Sequence, residues 1–171
     1  TIMGRVALVT GGTRGIGEAI SIALKDAGYN VAAVYAGNDV AAKEFSDKTG
    51  IKTYKFNVSD FGQCQAGIAQ IESDIGPIEV LVNNAGITRD ATLHKMTPEQ
   101  WAEVIQTDLT SCFNMCRIVI EGMRARSFGR IINISSMNGE LGGFGQANYS
   151  AAKAGMIGFS KAVAREDASK G

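Results

Sequence analysis

The chain has 171 residues, 45% of them hydrophobic, and seventeen basic side chains balance seventeen acidic ones, so that its formal net charge is zero. This length and composition predict a single globular domain over residues 1–171, and a neutral balance without a basic cluster argues against nucleic acid or an anionic membrane as a partner. Three cysteines without a CxxC spacing and a single histidine argue against a metal site. We expect a cytoplasmic protein, because no apolar run is long enough to span a bilayer and no signal-peptide pattern opens the sequence.

Short apolar runs alternate with longer segments of helical pattern along the whole chain. The five runs are RVALVT (5–10), NVAAVY (30–35), IKTYKF (51–56), IEVLVN (78–83) and RIINIS (130–135). Polar alternation is weak within each run, which predicts strands buried on both faces. The order of strands and helices predicts an α/β fold: a Rossmann-like, doubly wound parallel sheet with helices on both faces and a ligand crevice at the carboxyl ends of the strands.

Two of the helical segments carry boundary signals. The segment GEAISIALKDAG (17–28) predicts an amphipathic helix that ends at Gly28 as its C-cap. Residues 97–126 predict one long helix with Thr97 as the N-cap and Pro98 at the first helical position. Cys112 and Cys116 lie one turn apart on this helix, where we expect reduced thiols in the core or at an interface.

A glycine-rich loop follows the first predicted strand. The stretch TGGTRGIG (10–17) places Gly11, Gly15 and Gly17 at a strand-to-helix turn. Glycines there allow a tight turn and close approach of the backbone, while the N–H groups and dipole of the next helix attract a phosphate. At the start of an alternating strand and helix pattern, this loop predicts a dinucleotide-binding site; a plain turn is the alternative interpretation.

The residues after the second predicted strand bear on the choice of dinucleotide. An NAD site carries an acid about 20 residues beyond the glycine loop for the ribose 2′-hydroxyl, whereas a 2′-phosphate requires a cation. Here Ala36, Gly37 and Asn38 precede the first acid, Asp39, and Arg14 lies inside the glycine loop. These residues favour NADP(H). The alternative is that Arg14 is a solvated charge and Asp39 reaches the ribose.

The stretch NYSAAKAG (148–155) places Tyr149 and Lys153 one helical turn apart among small side chains. A free tyrosine, with a pKa of about 10, is a poor acid at neutral pH. A nearby ammonium stabilises the phenolate and so makes the phenol a better proton donor. This pair predicts acid/base chemistry of the kind that reduction of a ketone requires.

With these residues the chain resembles the short-chain dehydrogenase/reductase family over its whole length. The matching motifs are TGGTRGIG, NNAG (83–86), NISS (133–136) and the Tyr149-x-x-x-Lys153 pair. The segments NNAGITRD, SFGRIINISSMNG and FGQANYSAAKAG are most similar to acetoacetyl-CoA reductases of polyhydroxybutyrate synthesis, and next to 3-oxoacyl-acyl-carrier-protein reductases of fatty-acid synthesis.

The resemblance implies a role for each residue of a catalytic set. It makes Tyr149 the proton donor, Lys153 its assistant and a ligand of the nicotinamide ribose, and Ser136 the hydrogen-bond donor to the substrate carbonyl, with Ser135 as the alternative serine. Asp108 lies within TDL, where the family has an asparagine in TNL. Its carboxylate could pair with Lys153 and weaken the effect on Tyr149, or it could serve in place of the amide.

The resemblance also implies two sets of binding residues. The cofactor-binding set is Gly11, Thr13, Arg14, Gly15, Ile16, Gly17, Tyr35, Asn57, Val58, Asn84, Ala85, Gly86, Tyr149 and Lys153. The substrate-binding set is Asp90, Ser136, Gly143, Phe144, Gln146 and Tyr149. Phe144 could equally be ordinary loop packing.

Relative to the family, the C-terminal strands and the substrate lid that follow the Tyr149 helix are not in this chain. The run RIINIS would then form an exposed apolar edge strand that is prone to aggregation. The helices would pair into a homotetramer by resemblance to the family. The apolar residues expected to contribute to that pairing are Trp101, Val104, Ile105, Leu109, Met115, Met156, Ile157 and Phe159.

The implied function is NADPH-dependent reduction of acetoacetyl-CoA to (R)-3-hydroxybutyryl-CoA. The first alternative is an acyl-carrier-protein ester as the substrate. Four arginines could dock such an acidic carrier protein or could be solvated helix charges: Arg117, Arg124, Arg126 and Arg130. The second alternative, from another class, is a non-catalytic NADP-binding or interaction protein on the same scaffold.

Overall fold

The computed structural model describes residues 4–171, so the first three residues of the predicted domain lie outside the described part. The strands are β1 (Val6–Thr10), β2 (Asn30–Tyr35), β3 (Lys52–Lys55), β4 (Ile78–Asn83) and β5 (Arg130–Asn133). They form one parallel sheet in the order β3-β2-β1-β4-β5. This is the strand order of a doubly wound Rossmann-type sheet, so the predicted fold class is confirmed.

Seven α-helices connect or follow these strands in the described residues. They are α1 (Gly15–Asp26), α2 (Asp39–Thr49), α3 (Phe61–Ile75), α4 (Pro98–Val104), α5 (Ser111–Ala125), α6 (Asn138–Leu141) and α7 (Ala147–Asp167). A 3-10 turn, Ala168–Lys170, follows α7. Residues of α1 and α2 pack on one face of the sheet, and residues of α3 and α5 pack on the other, so that β1 is buried between two apolar layers.

The two predicted cap positions, Thr97 and Gly28, are correct to within one residue. Thr97 is the N-cap of α4 in a full capping box with Gln100, and Pro98 follows it. At the end of α1 the C-cap is Ala27, and Gly28 comes one position later with a φ of +94°. The N–H groups of Gly28 and Tyr29 donate to the carbonyl oxygens of Lys25 and Leu24, which is the Schellman arrangement.

The long helix predicted over residues 97–126 is interrupted, and that prediction was wrong. A π-helical segment, Ile105–Thr110, separates α4 from α5. Helical periodicity in the sequence does not distinguish the two geometries, because a π-helical turn adds a single residue to an otherwise regular pattern. Such segments are rare and occur frequently at functional sites. This one carries Asp108.

The prediction that every strand is buried on both faces holds only for the centre of the sheet. β1 is buried throughout and β4 nearly so, whereas β3 and β5 have no fully buried residue. The two outer strands of the order lack a neighbour on one side within residues 4–171. Ile132 in β5 is 45% exposed within residues 4–171.

The three cysteines are free and buried, as expected for Cys112 and Cys116. Three of the residues expected to pair helices between subunits, Val104, Met115 and Met156, are buried in the core of this chain. Their side chains therefore have no exposed surface that could contact another subunit. Trp101 is 43% exposed. Across residues 4–171 no helix has both the length and the apolar character needed to cross a membrane.

Candidate active site

The glycine loop between β1 and α1 is packed against the chain that leaves β4. Gly11 and Gly15 have φ values of +60° and +56°, a region that favours glycine. A Cβ on Gly17 would overlap the carbonyl oxygen of Gly11 and lie 2.6 Å from Nδ2 of Asn84. The side chain of Arg14, the N-cap of α1, makes no capping hydrogen bond, so the first N–H groups of this helix have no side-chain cap.

Thr10, which the sequence analysis did not select, joins the two strand ends. Its hydroxyl oxygen accepts the backbone N–H groups of Asn84 and Ala85, both at 3.0 Å. The Nδ2 group of Asn84 donates in return to the carbonyl oxygens of Thr10 and Gly11, both at 3.2 Å. A polar residue that ends a buried strand is the signal that could have identified Thr10.

A cleft of about 410 Å³ opens at the carboxyl ends of the first four strands. The predicted cofactor residues that line it are Gly11, Thr13, Arg14, Gly15, Tyr35, Asn57, Val58, Asn84, Ala85 and Gly86. The lining residues that the sequence analysis missed are Val34, Ala36, Gly37, Asn38, Phe56, Ile87 and Thr107. Four other members of the predicted set, Ile16, Gly17, Tyr149 and Lys153, are outside this lining, and Ile16 points largely to solvent.

Asp39 has partners on two neighbouring strands. Its carboxylate accepts the hydroxyl of Tyr35 at 3.0 Å and the ammonium of Lys55 at 2.9 Å. The hydrogen bond from Lys55, followed by that from Tyr35, lowers the pKa of Asp39. Burial, followed by the hydrogen bond to Asp39, raises the pKa of Tyr35. This acid, the alternative ligand for a ribose, is therefore already paired.

Tyr149 and Lys153 lie on α7 next to the end of β5. The Nζ atom of Lys153 is 5.6 Å from the centre of the Tyr149 ring and donates to the carbonyl oxygen of Ile134 at 2.8 Å. Lys153 is buried, and burial lowers the pKa of its ammonium while the charge of Asp108 opposes that change. A buried cation thus lies beside the phenol.

Asn148 fixes the start of α7 and was not predicted. It is fully buried, and its Nδ2 group donates to the carbonyl oxygens of Arg89 at 3.0 Å and Gln100 at 3.2 Å. Its side-chain oxygen accepts the backbone N–H of Tyr149 at 2.8 Å. These bonds tie the residue before the phenol to the chain after β4 and to α4.

The two candidate serines differ in what they bind. The hydroxyl of Ser135 donates to the carbonyl oxygen of Lys153 at 2.8 Å, inside α7. The hydroxyl oxygen of Ser136 accepts the backbone N–H of Asn138 at 3.2 Å, which leaves its proton available to a substrate oxygen. The hydrogen bonds therefore favour Ser136 as the candidate over Ser135.

Asp108 is fully buried in the π-helical segment. Its Oδ1 atom accepts the backbone N–H of Ile87 at 2.8 Å, whereas Oδ2 has no hydrogen-bond partner within residues 4–171. Burial raises the pKa of this carboxyl to about 6, against the lowering effects of the Ile87 bond and of the charge on Lys153. A Cβ on Gly86 would lie 3.3 Å from Oδ2, so this turn approaches the carboxyl closely.

Three of the predicted substrate residues, Gly143, Phe144 and Gln146, line a second cavity, whereas Asp90, Ser136 and Tyr149 are outside its lining. Gln146 donates through Nε2 to the carboxylate of Asp90 at 3.2 and 3.3 Å. Phe144 is 95% exposed, so its side chain packs against little of residues 4–171, and its substrate role stays a prediction. The backbone of Ala91 bridges that of Gln146, which holds the two walls together.

Three features together are those of a dehydrogenase-type site: the order of the strands, the glycine loop, and the set of Ser136, Tyr149 and Lys153. The family described as short chain dehydrogenase matches residues 5–171, and the chain belongs to it. Members of this family are oxidoreductases that act on CH–OH groups and bind a nicotinamide cofactor.

Curated relatives are similar over almost the entire chain. An acetoacetyl-CoA reductase of Shinella zoogloeoides is 68% identical over 99% of this chain and 70% of its own length. One of Paracoccus denitrificans is 66% identical with the same coverage. A 3-oxoacyl-acyl-carrier-protein reductase of Vibrio harveyi is 45% identical over 98% of this chain and 69% of its own length.

Proposed function

We propose that this protein reduces acetoacetyl-CoA to (R)-3-hydroxybutyryl-CoA with NADPH. The observation that carries the proposal is the buried ammonium of Lys153 beside the ring of Tyr149, on a helix that lies next to the strand end bearing Ser136. The relatives named acetoacetyl-CoA reductase, at 66–68% identity, support the same substrate.

The residues of the cleft fit a dinucleotide. No side chain can be accommodated at Gly17, and the positive φ at Gly11 and Gly15 brings bare backbone to the cleft at the start of α1. Such a turn binds a pyrophosphate through its N–H groups. Asn84, Ala85 and Gly86 would form the opposite wall, held in place by Thr10. When bound, the reduced nicotinamide supplies the hydride that the carbonyl carbon receives.

The remaining chemistry belongs to three side chains of this protein. Ser136 donates its hydroxyl proton as a hydrogen bond to the substrate carbonyl oxygen and stabilises the negative charge that develops there. Tyr149 gives its phenolic proton to that oxygen, which completes the alcohol. Lys153 stabilises the phenolate that remains, and burial strengthens this interaction because little water screens it.

The preference for NADPH over NADH rests on the charges near the end of β2. Arg14 lines the cleft and provides a guanidinium for a 2′-phosphate. Asp39 would repel that phosphate, but its carboxylate is paired with Lys55 and Tyr35. Turning it toward a ribose would require both hydrogen bonds to break. These contacts favour the phosphorylated cofactor.

An acyl-carrier-protein ester is the second candidate substrate, since a relative with that name is 45% identical. The four arginines considered for docking all have partners in this chain: Arg117 pairs with Glu121, Arg124 with Asp167, Arg126 with the Ile78 carbonyl, and Arg130 with the Gly171 carbonyl. A docking patch would have to give up these contacts, which favours the CoA ester. A homotetramer in the cytoplasm remains our expectation for the assembly.

The test is loss of reduced-nicotinamide absorbance with acetoacetyl-CoA, measured with NADPH and with NADH. We expect turnover that prefers NADPH and that Tyr149→Phe abolishes while NADPH still binds. A carrier-protein ester turned over far better than the CoA ester would favour the second candidate. Binding of NADPH without consumption of either ester would support the non-catalytic alternative.

A further inference from the structure

Three polar side chains form a continuous row beside the second cavity, and Gln146, the middle one, lines the cavity itself. The Nδ2 group of Asn138, on α6, donates to Oε1 of Gln146 at 2.8 Å. Gln146 donates from Nε2 to both carboxylate oxygens of Asp90, at 3.3 and 3.2 Å. The row crosses from α6 to the start of α7 and then to the chain after β4, so it links three separate segments.

The direction of these hydrogen bonds is fixed by their chemistry. The carboxylate of Asp90 can only accept, so Gln146 must turn its amide nitrogen toward Asp90 and its amide oxygen toward Asn138. Asn138 must then act as the donor. Asp90 thus selects the orientation of the Gln146 amide, and the hydrogen bond from Asn138 holds the amide in that orientation.

The surrounding glycines leave room for this row and for nothing larger. A Cβ on Gly143 would lie 2.5 Å from Oε1 of Gln146 and 3.0 Å from Nδ2 of Asn138. A Cβ on Gly139 would lie 2.9 Å from the backbone of α7, so α6 rests directly on the helix that carries Lys153. The backbone of α6 next to Asn138 is thus held rigidly against α7.

Asn138 also contacts the serine of the candidate site. Its backbone N–H donates to the hydroxyl oxygen of Ser136 at 3.2 Å. The same residue therefore holds Ser136 through its main chain and Gln146 through its side chain. Only the second contact depends on the identity of the side chain, so the two can be separated by substitution.

We propose that Asn138 is a positioning residue whose side-chain amide holds Gln146, and through it Asp90, in place to bind the acyl part of the substrate. The inference rests on the proposed function, because Gln146 and Asp90 can bind the acyl group only if the substrate is the proposed β-ketoacyl thioester. Asn138 would act on substrate affinity and leave the proton-transfer residues in place.

The test compares Asn138→Ala and Asn138→Asp with Glu140→Gln, an exposed neighbour on the same short helix. Loss of one hydrogen bond of about 1 kcal/mol predicts a KM for acetoacetyl-CoA raised about fivefold in Asn138→Ala, with kcat within about twofold. Asn138→Asp places a carboxylate against an amide oxygen, and its KM rises further. The dissociation constant of NADPH, measured by fluorescence, stays unchanged in all three variants.

Two further measurements isolate the contact. In the Gln146→Ala background, Asn138→Ala should add almost nothing to KM, since the partner is already gone. By NMR, the side-chain amide protons of Gln146 should exchange faster with water in Asn138→Ala than in the unsubstituted protein or in Glu140→Gln. This second readout requires no substrate.

Unchanged Gln146 amide exchange in Asn138→Ala would overturn the inference, as would additive effects of the two alanine substitutions on KM. These outcomes differ from failure of the proposed function, in which the unsubstituted protein itself would not consume NADPH with acetoacetyl-CoA. In that case the exchange measurement still decides whether Asn138 holds Gln146 in place.

Discussion

The α-carbon of Gly17 lies so close to the carbonyl oxygen of Gly11 that the start of α1 and the end of β1 are in direct backbone contact. Asn84 reaches the same point from β4, with its Nδ2 group 3.2 Å from the Gly11 carbonyl oxygen. Three segments of the chain therefore meet where a dinucleotide would place its phosphates. The contact permits no side chain at Gly17.

Gly17→Ala should consequently displace α1 from the glycine loop. We expect a loss of NADPH affinity of at least tenfold and a destabilisation of about 1–3 kcal/mol, since the new methyl group overpacks a rigid backbone contact. Fluorescence titration with NADPH and urea unfolding measure the two effects.

The matched control is Gly158→Ala in α7, where a Cβ would meet nothing within 4 Å. That variant should be slightly more stable, by up to about 1 kcal/mol, because alanine is the better helix former. Equal behaviour of the two variants would contradict the argument.

Alanine substitutions of the two neighbouring serines, Ser135 and Ser136, should have different effects on kcat. Ser136→Ala removes the proposed donor to the carbonyl oxygen, and we expect kcat to fall by about 10²–10³ with little change in NADPH affinity. Ser135→Ala removes a hydrogen bond to the Lys153 carbonyl oxygen, so its main effect should be a destabilisation of about 1 kcal/mol. Steady-state kinetics and urea unfolding of both variants test the assignment. A larger loss of kcat in Ser135→Ala would reverse it.

Local patterns predicted the sheet and the main elements of the site, because each depends on residues close in sequence. The glycine loop, the N-cap at Thr97 and the Tyr149–Lys153 spacing are of this kind. Thr10 and Asn148 escaped prediction because their roles depend on partners far away in sequence: Asn84 and Ala85 for Thr10, and Arg89 and Gln100 for Asn148.

Burial was predicted less well than strand position, for a related reason. The apolar character of a run does not reveal whether neighbours cover it on both sides. The sequence of β5, RIIN, has two adjacent isoleucines as a central strand would, yet this strand lies at an outer position of the order β3-β2-β1-β4-β5. The sequence of β3, KTYK, alternates lysines with less polar residues, so its exposure was readable from the sequence. The π-helical turn at Asp108 escaped for a different reason, because it leaves the helical pattern of the sequence almost unchanged.

Lys55 should control cofactor preference through Asp39. In Lys55→Met the Asp39 carboxylate loses its cation and keeps only the Tyr35 hydroxyl, so it becomes free to approach the ribose. We expect NADPH affinity to fall several-fold and NADH affinity to stay level or to rise. Fluorescence titration with both cofactors provides the measurement.

The control for this substitution is the Asp39→Asn background, in which there is no carboxylate to release. There Lys55→Met should affect NADPH much less. If the loss of NADPH affinity is just as large in that background, Lys55 acts on the phosphate directly, and the pairing with Asp39 is irrelevant to cofactor choice.

Asp108 should make stability depend on pH in a way that Asp108→Asn removes. Its pKa is raised to about 6 in the folded protein, above the ordinary value of 3.8, so between pH 4 and 6 the folded state binds more protons than the unfolded state. The free energy of unfolding therefore falls as pH rises through this range and levels off above it, where the buried carboxylate costs up to about 3 kcal/mol.

Every other titrating group is shared by the unsubstituted protein and Asp108→Asn, so its contribution largely cancels in the difference between their free energies of unfolding. Urea unfolding at pH 5 and at pH 7.5 should thus show the stability of Asp108→Asn, relative to the unsubstituted protein, increasing by about 1–1.5 kcal/mol toward the higher pH. A difference that stays constant across this range would mean that the carboxyl is ionised throughout, with a partner at Oδ2.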